Sequence, residues 1–173
     1  MNWLKYVIIF LFFVVFSLLQ VSFFPYFSIF GATPNLVFAL FFTLLFFEPQ
    51  AVSPQSFFTI IAAGLLIDIF LPLYFGPATV TFLLIYLFCK LVMHIFAQGR
   101  ESHLIFYYLC LFSVSFLGYN ILLYATSLLF NFEFSAGVIT AISLLYSLPF
   151  AALGFYAGRK IFFHGNDNQL KLL

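Results

Sequence analysis

The charges in this chain are few and far apart: between Lys5 and Lys90 only Glu48 and Asp68 interrupt runs of Phe, Leu, Ile and Val. A water-soluble domain cannot be built on that spacing. Such a domain carries about a quarter charged residues to face solvent, whereas here 6% are charged and 65% hydrophobic. With a mean hydropathy of +1.19, the lipid bilayer is the solvent this sequence is written for. Six apolar segments of about 20 residues each would take up about 120 positions, leaving only loops and a short tail for water. That remainder has no room for a soluble catalytic or nucleotide-binding domain, so ATPase, kinase and polymerase functions are excluded.

The six segments can be placed. Span one covers Trp3 to Phe24; it is too long and lacks the small-residue cleavage site of a signal peptide, so it is read as retained. Pro25 ends it, and Pro25, Gly31 and Pro34 punctuate the following loop. Thr33-Pro34 reads as an N-cap followed by a first-turn proline, starting span two, which runs to about Glu48. At roughly 24 Å that span is short for a 30 Å hydrocarbon core, so a re-entrant hairpin is its rival. Span three runs from Phe57 to about Leu71, span four from Ala78 to Ala97, span five from Leu104 to about Phe130, and span six from about Ala136 to Gly158. The expected architecture is one all-α domain over 1–163, a bundle of six transmembrane helices, with a short polar cytoplasmic tail over 164–173.

Cytoplasmic loops collect Lys and Arg. With six crossings and a cytoplasmic N-terminus, Lys5, Arg100, Arg159, Lys160 and Lys171 all fall inside, and Lys90 lies in the inner half of span four, from which it can snorkel. A re-entrant span two would put Lys5 opposite the other five. The charges therefore favour six crossings with both ends in the cytoplasm.

A net charge of +1 provides no basic footprint for nucleic acid. Cys89 and Cys110 sit in apolar runs and imply no disulfide framework. The thirty Phe residues are read as mostly lipid-facing filler. His94, His103 and His164 have no metal-ligand spacing and no nucleophile beside them, so neither a metal, a cofactor nor an enzyme is expected.

Asp68 is the one carboxylate well inside an apolar run, where a charge costs about 2.5–3.5 kcal/mol even on lenient insertion scales. It must be protonated, paired or facing a polar cavity. Gln20, Tyr86, Asn120, Tyr124, Thr140 and Ser143 lie at similar outer-half depths, which makes neutral hydrogen-bonding side chains its expected partners. A helix-to-helix anchor is the preferred reading and a small polar pocket open to the outside the alternative. For a neutral anchor, Asp68→Asn should fold nearly normally. Gly64, one turn before Asp68, allows another backbone to approach. In span six Ala136, Thr140, Ser143, Ser147, Ala151, Gly154 and Gly158 form one small-residue stripe for close packing, within the bundle or against a partner helix.

The order of these features resembles the MreD family of bacterial rod-shape-determining proteins. The segment from Pro25 through Gly31 and Pro34 to Leu36 resembles that family's loop after span one, with Asn35 standing where the family has an acid. Gly64-Leu65-Leu66-Ile67-Asp68, followed by Gly76, resembles its span-three pattern, and Leu148-Pro149 and the Arg159-Lys160 stop are similar to its sixth span. The resemblance covers nearly the whole chain through short motifs. It implies a non-enzymatic scaffold of the cell-elongation complex in the bacterial cytoplasmic membrane. Such a subunit binds the membrane helix of MreC and works with MreB, RodA and a penicillin-binding transpeptidase in peptidoglycan synthesis. The family is also similar in fold to the six-helix S-components of vitamin transporters, which implies an alternative role as a substrate-binding transporter subunit. Those proteins dock their partner through an alanine-rich face on span one, and span one here contains neither Ala nor Gly.

Overall fold

The computed structural model describes residues 3–47, 54–70, 76–95, 104–130 and 137–163. Six helices follow one another: α1 (Trp3–Leu18), α2 (Leu36–Phe47), α3 (Pro54–Phe70), α4 (Pro77–Ile95), α5 (Leu104–Phe130) and α6 (Val138–Phe163). Among the described residues, four stretches are long and apolar enough to cross a membrane: Tyr6–Phe27, Pro77–Ile95, Leu104–Leu129 and Val138–Lys160. The chain is thus a multi-pass membrane protein. The tail over 164–173 and Arg100, His103 and Lys171 lie outside the described residues.

Pro25 does not end the first span as expected. Helix α1 passes into a π-helical turn (Leu19–Phe23) and then a 3-10 turn (Phe24–Phe27) that carries Pro25 in its first turn. Proline is tolerated there because a first-turn amide has no intrahelical acceptor in any case. The chain reverses at a tight turn in which the amides and carbonyls of Ile29 and Ala32 pair. Phe30 and Gly31 occupy the left-handed region at φ 51° and 80°, a conformation that suits Gly and strains Phe.

The second helix also starts later than expected. Thr33-Pro34 lies outside any helix, and Asn35 is the residue that caps: its Oδ1 accepts the Phe38 amide at 3.0 Å. Proline disfavours helical geometry in the residue before it, and the asparagine side chain offers the better cap. Helix α2 has 12 residues, about 18 Å, and every one except Leu40, Leu44 and Phe47 is buried.

Side-chain pairings set the helix directions. Tyr6 on α1 meets Phe58 on α3 near the start of both, and Ser17 and Leu66 share a cavity near their ends, so α1 and α3 run parallel. Phe38 packs on Tyr119 and Phe42 on Tyr108, making α2 antiparallel to α5. Ile85 touches Gly118 and Cys89 meets Ser115, which does the same for α4 and α5. Helix α6 follows α2 in the same direction, Ser147 beside Asn35 and Gly158 beside Phe47. Asp68 in the last turn of α3 meets Ala78 in the first turn of α4, and Gly64, one turn earlier, meets Thr79, so α3 and α4 oppose each other and successive helices alternate in direction.

The core sets a limit on the reading of Phe as mostly lipid-facing filler, because nine of the 23 phenylalanines with described side chains are buried. Phe38, Phe41, Phe42 and Phe46 of α2 are buried and pack with Phe82, Phe112, Phe116, Tyr108 and Phe155 from three surrounding helices. A helix enclosed on every side is apolar on every side. Edge-to-face geometries recur, such as Phe41 to Phe82 at 4.7 Å and 83°, the arrangement that the ring quadrupole favours. Other rings, including Phe10, Phe12, Phe88 and Phe106, do lie on the bundle surface.

Candidate functional site

The polar side chains of the bundle gather where helices start. Helix α4 begins at Pro77, so its first-turn amides have no intrahelical acceptors. Asp68, from the last turn of α3, supplies them instead. Its Oδ2 accepts the Gly76 amide at 3.0 Å, the Thr79 amide at 3.3 Å and the Thr79 hydroxyl at 2.9 Å, while Oδ1 accepts the Ala78 amide at 2.9 Å. A carboxylate at a helix N-terminus also complements the helix dipole. Gly76 reaches this position at φ 117°, a backbone angle that side-chain-bearing residues rarely adopt. Gly64 completes the clamp, because a Cβ there would collide with the Thr79 backbone.

This arrangement corrects the expected partners. Asp68 is buried, yet none of Gln20, Tyr86, Asn120, Tyr124, Thr140 or Ser143 bonds to it. Backbone amides displaced the side chains as partners because the chain turns back directly after α3 and brings an uncapped helix start to the carboxylate. The expected cluster is dispersed: Tyr86 is buried with its hydroxyl unpaired among the described residues, Tyr124 is exposed on the bundle surface, and Asn120 donates to the Phe116 carbonyl of its own helix at 2.8 Å.

Gln20 serves the other buried helix start. Its Oε1 accepts the Val37 amide at 3.2 Å, beside the Asn35 cap on Phe38. The irregular chain before α2 is held by α6: Ser147 Oγ accepts the Asn35 amide at 2.9 Å and donates to the Ser143 carbonyl, while Ser143 Oγ donates to the Thr33 carbonyl at 2.7 Å. Non-helical backbone at membrane depth is stable only where protein satisfies its polar groups, and here two serines do so.

The remainder of the α6 stripe continues along the same neighbour. A Cβ on Gly154 would lie 2.5 Å from Thr43 Oγ1, one on Gly158 would strike the Phe47 ring, and Ala151 is fully buried. From Ser143 to Gly158 the stripe therefore packs within the bundle, along the chain from Thr33 to the end of α2 at Phe47, while Ala136 lies outside the described residues. Thr43 bonds to the Ala39 carbonyl and, at 2.8 Å, to the Tyr108 hydroxyl of α5.

Next to the α2 start lies a cavity of about 160 Å³. Ser17, Gln20, Asn35, Tyr119 and Asn120 supply its polar edge, and Val37, Phe70 and Leu123 part of its apolar wall. Ser17 is 2% exposed and its hydroxyl has no partner among the described residues, a state that costs about 1–3 kcal/mol. Ser17, Thr79, Thr43 and Tyr119 were not singled out from the sequence. Thr79 alone left a signal there, following a Gly-Pro helix start eight to nine residues after Asp68.

No protein-family model, curated protein or solved structure matches this chain.

Proposed function

We propose that the protein is a non-enzymatic scaffold subunit of the bacterial cell-elongation complex, similar to the MreD family, with six crossings of the cytoplasmic membrane and both termini in the cytoplasm. The observation that carries this reading is where the motifs of the resemblance meet. Asn35 caps α2; Gly64, Asp68 and Gly76, separate in the sequence, converge on the start of α4. The quoted residues thus fix helices relative to one another, which is the work of a scaffold. The alternation of helix directions supports six crossings. Helix α2 is too short to span alone, but the irregular segment before it, with Ala32 and Pro34 buried, adds to its path.

The small-residue faces are occupied inside the bundle, so the MreC helix is assigned to the outer faces of the edge helices. Leu11 on α1 and Leu153 on α6, 61% and 65% exposed, mark those faces. MreB, RodA and the transpeptidase would join through MreC. The test is co-expression with MreC, with cysteines introduced at Leu11 or Leu153 and along the MreC helix. Disulfide cross-links confined to one of these faces are the expected result. Absence of any complex, or an Arg159→Cys variant labelled from outside intact cells by an impermeant maleimide, would overturn the reading.

A further inference from the structure

The cavity beside α2 carries an inference that does not depend on the scaffold reading. Its two carboxamides have fixed orientations. Gln20 Oε1 is taken by the Val37 amide, which leaves Nε2 as a donor; Asn120 Nδ2 is taken by the Phe116 carbonyl, which leaves Oδ1 as an acceptor. The backbone partners fix both orientations. One carboxamide donor and one carboxamide acceptor therefore belong to the lining of a single space, with the Ser17 hydroxyl sealed beneath it.

Charge is missing from that lining. Among the described residues, no Asp, Glu, Lys, Arg or His lines the cavity, and the neighbouring Asp68 carboxylate holds the start of α4. The α2 start does not make an anion site either, since the Asn35, Val37 and Phe38 amides already have side-chain acceptors. The rest of the lining, including Val37, Phe70 and Leu123, is apolar. A volume of about 160 Å³ is close to that of cavities of about 150 Å³ that accept a benzene ring.

We propose that this cavity is a binding site for an uncharged, ring-sized molecule bearing a carboxamide or lactam edge. The ligand carbonyl accepts from Gln20 Nε2, the ligand N–H donates to Asn120 Oδ1, and the ring lies against the apolar part of the lining.

Benzamide and its charged isostere benzoate are matched probes for the full chain in lipid nanodiscs, read by saturation-transfer difference NMR against empty nanodiscs. Benzamide is expected to give a protein-dependent signal that benzoate lacks. Asn120→Leu should weaken benzamide binding about tenfold, the equivalent of one well-made hydrogen bond. Asn120→Leu loses only a bond within its own helix, so the melting temperature should hold, which keeps the test independent of misfolding. Cys110→Ser, on the bundle surface, should bind as the parent chain does. No benzamide signal above empty nanodiscs, equal binding of benzoate, or unchanged binding in Asn120→Leu would overturn the proposal and leave the space to water.

Discussion

Thr79 is tied to Asp68 twice, through its amide at 3.3 Å and through its hydroxyl at 2.9 Å. Both carboxyl oxygens act only as acceptors, so an amide in place of the carboxyl turns one end into a donor facing donors. Asp68→Asn is expected to lower stability by about 1–2 kcal/mol, and Asp68→Leu by about 3 kcal/mol or more, since it leaves the α4 amides and the Thr79 hydroxyl unpaired. Equilibrium unfolding in mixed micelles measures both. An Asn variant as stable as the parent would contradict the geometry and return Asp68 to a neutral anchor.

Gly64 and Gly118 should respond to alanine in opposite ways. At Gly64 the added methyl meets the backbone of Thr79, which cannot rotate aside, and overpacking of this kind costs about 1–3 kcal/mol. At Gly118 the nearest atom is the tip of Ile85 at 3.4 Å, so Gly118→Ala should be neutral or gain up to about 1 kcal/mol of helix propensity. Thermal melting of the two variants side by side checks the contrast.

Ser147→Ala removes the acceptor of the Asn35 amide while leaving the helix geometry of α6 intact. The expected loss is about 1–2 kcal/mol, with faster hydrogen exchange at Asn35 and little change along α4. Uniformly raised exchange throughout the bundle would mean that the serine acts on global packing instead.

Thr43→Val and Tyr108→Phe each break the same 2.8 Å bond between α2 and α5. Each should cost about 1 kcal/mol, and the double variant should cost clearly less than the sum, because partners in one hydrogen bond do not add. Strict additivity in unfolding measurements would show that the two hydroxyls do not depend on each other.

Hydropathy located every helix within a few residues, because long apolar runs bounded by Pro, Gly and charge leave few other readings. Close packing at Gly64, Gly154 and Gly158 was also legible, since small residues at spacings of four have little other use in lipid. The partners of Asp68 were not. Depth along a helix says which groups share a layer, but not that a chain reversal brings backbone amides nearer than any side chain in that layer. The burial of Phe38, Phe41, Phe42 and Phe46 was hidden for a related reason: composition is the same for a ring facing lipid and one facing other rings. Only the enclosure of α2 by its neighbours separates the two cases.

That enclosure has a consequence for biogenesis. When α2 leaves the ribosome, the serines that will hold Thr33 and Asn35 have not yet been synthesised; they arrive 110 and 112 residues later. Until then a short segment with unsatisfied backbone must wait in a hydrated insertion channel or beneath a chaperone. The last helix to be made thus closes the wall around one of the first, and nascent chains arrested before α6 should remain bound to the insertion machinery.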